Sequence, residues 1–218
     1  MADYVALKKK VDELAERVWD FEGIKARVNK MVKNGIPGKK LDAKEMLAKK
    51  SEILDRVQRR AEEYNFILKN CAQGTALALM EEFGLGNMEV IKALTTFPGI
   101  GGTGDMCGGI TGTLIAFGLF YGPDNPLDLS FLEDPLTNPF ITSQKYIAFF
   151  EDAVGNMYCS DIIENVILGH KINPGESETA MIEFTHEKGF EKCGLPPGMG
   201  VRLAAEFMID SMQKKTRG

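Results

Sequence analysis

Cys71, Cys107, Cys159 and Cys193 are all the cysteines in this 218-residue chain, and they stand 36, 52 and 34 residues apart. Sulfurs spaced so widely act together only if the tertiary fold carries them to one place. No C-x-x-C pair occurs. This excludes a zinc ribbon or knuckle, a thioredoxin-type redox pair and the compact ferredoxin runs. The expectation is a single site built from all four, in a chain able to form its own core. With 44% hydrophobic and 26% charged residues it has globular proportions, and its length supports a core without a crosslink.

Charge and patterning limit the setting. The net charge of −5 leaves no basic footprint for nucleic acid or an anionic membrane. Met1-Ala2-Asp3-Tyr4 leads into a charged helical pattern without an apolar leader. The longest apolar stretch, Ile110 to Tyr121, is too short to span a bilayer, which takes about 20 residues. The expected location is the cytoplasm, where thiols stay reduced and serve as ligands or redox groups rather than staples.

Residues 1–68 read as an N-terminal helical hairpin extension. Leu7, Val11, Leu14, Val18, Phe21 and Val28 form one apolar stripe. Asn34-Gly35 stops the first helix and Pro37-Gly38 turns the chain. Asp42 with Glu45 resembles a capping box for a second helix, striped by Leu47, Leu54, Val57, Ala61, Tyr64 and Leu68. The hairpin is either a coat on the domain behind it or a dimerisation arm, so a homodimer is an open expectation. Residues 69–218 form the second unit. Its expected helices are Ala72–Phe83, Met88–Thr96, about Ile110–Tyr121, Ser143–Val154, Ser160–Leu168, Glu176–Lys188 and Gly198–Lys214. Pro123, Pro126, Pro135 and Pro139 make 122–140 a loop. No run alternates like a strand. The fold class is all-α, a helical bundle around a cysteine pocket.

Each cysteine falls at a predicted helix start, where free N–H groups and the dipole favour a thiolate. Singly, each reads best as a small buried hydrophobe. Together they read as a ligand or redox set.

The arrangement resembles the redox-active protein family named for its C…C-G-A-x-x-G…C…C cysteines. Asn70-Cys71-Ala72-Gln73 supplies the isolated first cysteine, Cys107-Gly108-Gly109-Ile110-Thr111-Gly112 the hexapeptide, and Cys159 and Cys193 the last two. The likeness covers about residues 65–210. Gly109 stands where the family usually has alanine. The resemblance implies redox chemistry at the four cysteines. A further likeness, to the cysteine-bearing part of split-Soret cytochromes, suggests an iron–sulfur centre. Without C-x-x-C-H, covalent haem is not expected.

Other signals are weaker. Gly99-Ile100-Gly101-Gly102-Thr103-Gly104 satisfies G-x-G-x-x-G, but it follows a helix rather than a strand, so it reads as a loop approaching the Cys107 site. His170 and His186 read as surface residues, and the methionines as core filler. Asp152, Asp161 and Glu164 are proton donors only if geometry brings them to Cys159. The leading expectation is an iron–sulfur protein, [4Fe–4S] or [2Fe–2S], with Cys71, Cys107, Cys159 and Cys193 as thiolate ligands. It would exchange electrons with a redox partner protein or a small-molecule donor or acceptor. A thiol–disulfide oxidoreductase is the alternative, followed by a structural zinc protein or a helical interaction module. No catalytic residue is assigned.

Overall fold

A computed structural model describes residues 2–133 and 138–217. Regular structure among these residues is helical, apart from one isolated antiparallel bridge between Met106 and Tyr158. Short polar side chains set most helix starts. Asp3 caps α1 (Tyr4–Glu16), Asp20 caps α2 (Phe21–Asn34) and Asp42 caps α3 (Ala43–Ala48), each carboxylate accepting backbone N–H groups of the first turn. α4 (Lys50–Leu68) ends at Lys69 in the left-handed region. Asn70 caps α5 (Cys71–Phe83), and Asn87 caps α6 (Met88–Ala93).

α7 (Gly99–Gly102) is one irregular turn, and α8 (Gly108–Tyr121) is the apolar helix expected from about Ile110. Within 122–140, Ser130–Leu132 form a 3-10 turn, while Pro135 lies outside the described residues. Pro139 opens α9 (Pro139–Val154), where its missing N–H costs nothing. α10 (Cys159–Ile162) runs into a π-helical segment, Ile163–Leu168. α11 (Glu178–His186) and the single turn α12 (Gly189–Lys192) lead to the long α13 (Leu195–Arg217). α13 starts three residues before the predicted Gly198, because Pro196 and Pro197 fit a first helical turn.

α4, α5 and α13 are the central rods. α4 packs along both of the others, α5 also packs on α8, and α13 reaches α8 and α9. Tyr64, Leu77, Met80, Phe83, Ile110, Phe117, Tyr146, Phe150, Val201 and Met208 are almost fully enclosed. Leu7, Val11 and Leu14 of α1 join the same continuous core. Ile163, Ile172 and Phe184 form a small second cluster.

The first expected helix is two helices. Val18, placed in its apolar stripe, is 95% exposed. Its neighbours explain the break: Arg17 pairs with buried Glu62, Trp19 stacks on Phe66 with centroids 4.7 Å apart, and Asp20 caps α2. Two tertiary anchors and a cap outweigh the helical periodicity that runs through them. Phe21 and Leu47, also assigned to stripes, are likewise exposed.

Among the described residues, no helix is long and apolar enough to cross a membrane.

Candidate functional site

Cys71 is the first residue of α5, Cys107 caps α8, and Cys159 is the first residue of α10. Cys193 differs from the expectation. It closes the C-terminal end of α12, its N–H donating to the Gly189 carbonyl at 2.8 Å, and it stands two residues before α13. The cause is Lys188, whose left-handed backbone restarts the chain as one extra turn after α11.

The fold gathers the four. A charge on Cys71, Cys159 or Cys193 reaches Cys107, one on Cys71 or Cys159 reaches Cys193, and one on Cys71 reaches Cys159. All six pairs therefore interact. Cys107 belongs to the main core, Cys159 packs on the small cluster, and Cys193 packs on both. The site thus sits in the seam between the two cores.

Three local devices create the convergence. First, the segments before α8 and α10 are fastened together around the Met106–Tyr158 bridge. Cys107 N–H donates to the Met157 carbonyl at 2.9 Å, and Cys159 N–H to the Asp105 carbonyl at 2.7 Å. A further bond of 2.9 Å runs from Ser160 N–H to Gly104. Cys107 and Cys159 are thereby held on paired backbones.

Second, α8 lies against the start of α5 through Gly108 and Gly112, one turn apart. A Cβ at Gly108 would stand 2.2 Å from Cys71 Sγ, and one at Gly112 2.4 Å from the Ala72 carbonyl oxygen. Gly109 serves α13 in the same way, since a Cβ there would meet the Pro196 carbonyl group at 3.2 Å. Gly109 thus marks a close approach of the chain just after Cys193.

Third, the glycine loop arches over the site with positive φ at Gly99, Ile100, Gly101 and Gly102 in succession. A Cβ at Gly99 would stand 3.5 Å from Cys159 Cβ, so the loop passes close to Cys159. The segment Leu94–Thr96 before it is a 3-10 turn, so the dinucleotide reading of G-x-G-x-x-G fails.

All four cysteines are free thiols. The N–H groups of Gly108, Ala72 and Cys71 itself lie near the Cys71 sulfur and favour its charged form, and the Cys107 sulfur accepts a hydrogen bond from Gly109 N–H at 3.4 Å. These donors favour a thiolate. Burial nevertheless outweighs them, raising Cys71 to about 11 and Cys159 to about 12, and pushing Cys107 and Cys193 well above the ordinary thiol range. The expectation that helix starts lower these pKa values is corrected accordingly. Desolvation of four clustered sulfurs, each disfavouring charge on the others, is the larger effect. A bound cation would favour the deprotonated form of these thiols.

Two supporting residues carry no signature in the sequence. Buried Asn65 donates from Nδ2 to the Phe190 carbonyl at 2.8 Å, tying α4 to the turn that bears Cys193. Tyr146 is fully buried. Its hydroxyl donates to the Gly109 carbonyl at 3.1 Å, pairs with Thr113 at 3.0 Å, and feels charge on Cys107. His170 and His186 are on the surface as expected, although His170 pairs with Glu187. Asp161 is engaged by Asn156 at 3.1 Å.

Fold and site together define a class: an all-helical protein whose four cysteines, carried by segments far apart in sequence, lie in one region. The family model described as "Putative redox-active protein (C_GCAxxG_C_C)" matches residues 69–206, and the chain belongs to that family. The family name spells its central motif G-C-A-x-x-G, which corrects the expected register: aligned on Cys107 it falls on Met106-Cys107-Gly108-Gly109-Ile110-Thr111, with Gly108 rather than Gly109 at the alanine and Met106 and Thr111 at the two glycines. No curated protein and no solved structure matches the chain. Membership supports a redox role in general terms.

Proposed function

We propose that this protein is a redox protein whose Cys71, Cys107, Cys159 and Cys193 together hold an iron–sulfur cluster, and that it moves electrons to or from a separate partner. The observation that carries this reading is the mutual proximity of all six sulfur pairs across four segments far apart in sequence.

The donor set fits such a group. Four thiols suit a cluster, and the N–H donors at Cys71 and Cys107 are of the kind that sets a cluster's potential. Among the described residues, the one set of three metal-ligating groups with donor atoms all within 4.8 Å of one another contains no cysteine. The sulfurs are therefore spread more widely than the roughly 3.8 Å separation around a single tetrahedral zinc ion with 2.3 Å bonds. A larger inorganic core suits that spacing better. When bound, the cluster would supply one-electron chemistry. The chain's own contribution is to anchor the sulfurs at helix ends, with Cys107 buried and the other three half-buried, and to direct N–H groups at the ligands.

Thiol–disulfide exchange is the weaker reading. An attacking thiol works best with a pKa near ambient pH, and burial moves these thiols away from it.

The test is metal and acid-labile sulfide analysis of protein purified without oxygen. Iron and sulfide in cluster proportions, with a visible charge-transfer spectrum bleached by reductant, is the expected result. Stoichiometric zinc without sulfide, or metal-free protein whose thiol count alone responds to oxidant, overturns it.

A further inference from the structure

A second group of metal-ligating side chains lies outside the cysteine site. The donor atoms of His170, Glu183 and Glu187 all fall within 4.8 Å of one another. His170 Nε2 is 2.9 Å and 3.1 Å from the two oxygens of Glu187. Glu183 and Glu187 are four residues apart, at the end of α11 and just beyond it, so they share one side of the chain. His170 comes from elsewhere, directly after Gly169, which ends the π-helical segment that follows Cys159.

An ion pair between His170 and Glu187 accounts for only two of the three. Two carboxylates at i and i+4 repel each other, and the one imidazole that Glu183 and Glu187 both face can offset only one of their charges.

We propose that His170, Glu183 and Glu187 bind one divalent transition-metal ion of the zinc class. One imidazole nitrogen and two carboxylates are a borderline donor set, suited to zinc and its neighbours and less so to calcium or magnesium, which take oxygen alone. Donor atoms around such an ion stand about 3.4 Å apart for bonds of about 2.1 Å. Exposed side chains reach that spacing by rotation, and water completes the shell. The ion ties the segment after Cys159 to α11, which packs on α12 beside Cys193. It would brace two of the four cysteine-bearing segments from outside. The binding claim stands independently of what the cysteines hold.

The chain has only two histidines, His170 and His186, so imidazole proton resonances report the site directly. The experiment titrates zinc ion into oxygen-free, as-purified protein at fixed pH, following those resonances together with the thiol count and visible spectrum. The expected result is a shift of the His170 signals complete near one equivalent, with thiols and spectrum unchanged. Glu183→Gln should retain the fold and weaken binding at least about tenfold. Unmoved His170 signals overturn the proposal. So does an equal response in Glu183→Gln, which would make His170 an adventitious single ligand. A colourless protein that still shows the one-equivalent shift leaves this site standing while the cluster reading falls.

Discussion

The α-carbon of Gly108 faces the sulfur of Cys71 so closely that a methyl group there would stand 2.2 Å from Sγ. The first and second cysteines are thus placed by the absence of a side chain. Gly108→Ala should force α8 away from α5 at the site, costing about 1–3 kcal/mol as an overpacked core does, and should lower iron retention. Gly118→Ala is the matched control on the same helix, because a Cβ there meets nothing within 4 Å. It should leave iron content unchanged and stability equal or higher, by up to about 1 kcal/mol. Urea unfolding and iron analysis of both variants check the contrast.

Gly109→Ala is expected to be mild. The methyl would press on Pro196 and Phe150 at 3.2 Å, which a few tenths of an ångström of movement relieves, while alanine gains helix propensity. The net change should stay within about 1 kcal/mol. Iron retention should fall less than in Gly108→Ala, measured side by side.

Removing the Asn65 side-chain donor should loosen the turn carrying Cys193. Asn65→Ala leaves the Phe190 carbonyl without that partner and should cost about 1–3 kcal/mol. Thiol labelling of metal-free protein should show Cys193 modified faster, with Cys71 little changed. Equal acceleration at both would indicate global loosening instead.

Alkaline pH reports on the buried tyrosines. Burial raises Tyr121 to about 12 and lifts Tyr64 and Tyr146 further, so in the folded protein each holds its proton more tightly than in the unfolded chain. The stability this confers is fully present below the unfolded value of about 10 and is lost as pH climbs toward the folded values. Phenolate absorbance should therefore show these tyrosines ionising together with loss of helical circular dichroism. Smooth independent titration of every tyrosine in a folded protein would contradict the packing described.

The sequence made much of this legible, for identifiable reasons. Ala72–Phe83, Met88–Thr96 and the apolar helix beginning near Ile110 follow from cap residues, glycine stops and loss of charge, all local signals. Cys71, Cys107 and Cys159 at helix starts followed from the same signals. The break at Arg17–Asp20 was not legible, because its causes, Glu62 and Phe66, lie more than forty residues away. Nor was the extra turn that places Cys193 at a helix end, which depends on a left-handed lysine. The pairing around Met106 and Tyr158 involves too few residues to alternate visibly. The direction of the thiol pKa values was missed because helix-end donors are a local property and desolvation is a tertiary one. Gly108 and Gly112 did carry a readable sign, small residues one turn apart, whose meaning became specific only once α5 was seen against them.

The central claim is that four sulfurs make one centre, and replacing each cysteine in turn by serine addresses it most directly. Anaerobically prepared Cys71→Ser, Cys107→Ser, Cys159→Ser and Cys193→Ser proteins, checked for folding by circular dichroism, would be compared for iron and acid-labile sulfide. Loss or marked lability of the cluster in all four, with helical content intact, is the predicted result. A variant that keeps wild-type iron, sulfide and spectrum would show that its cysteine is no ligand and contradict the account.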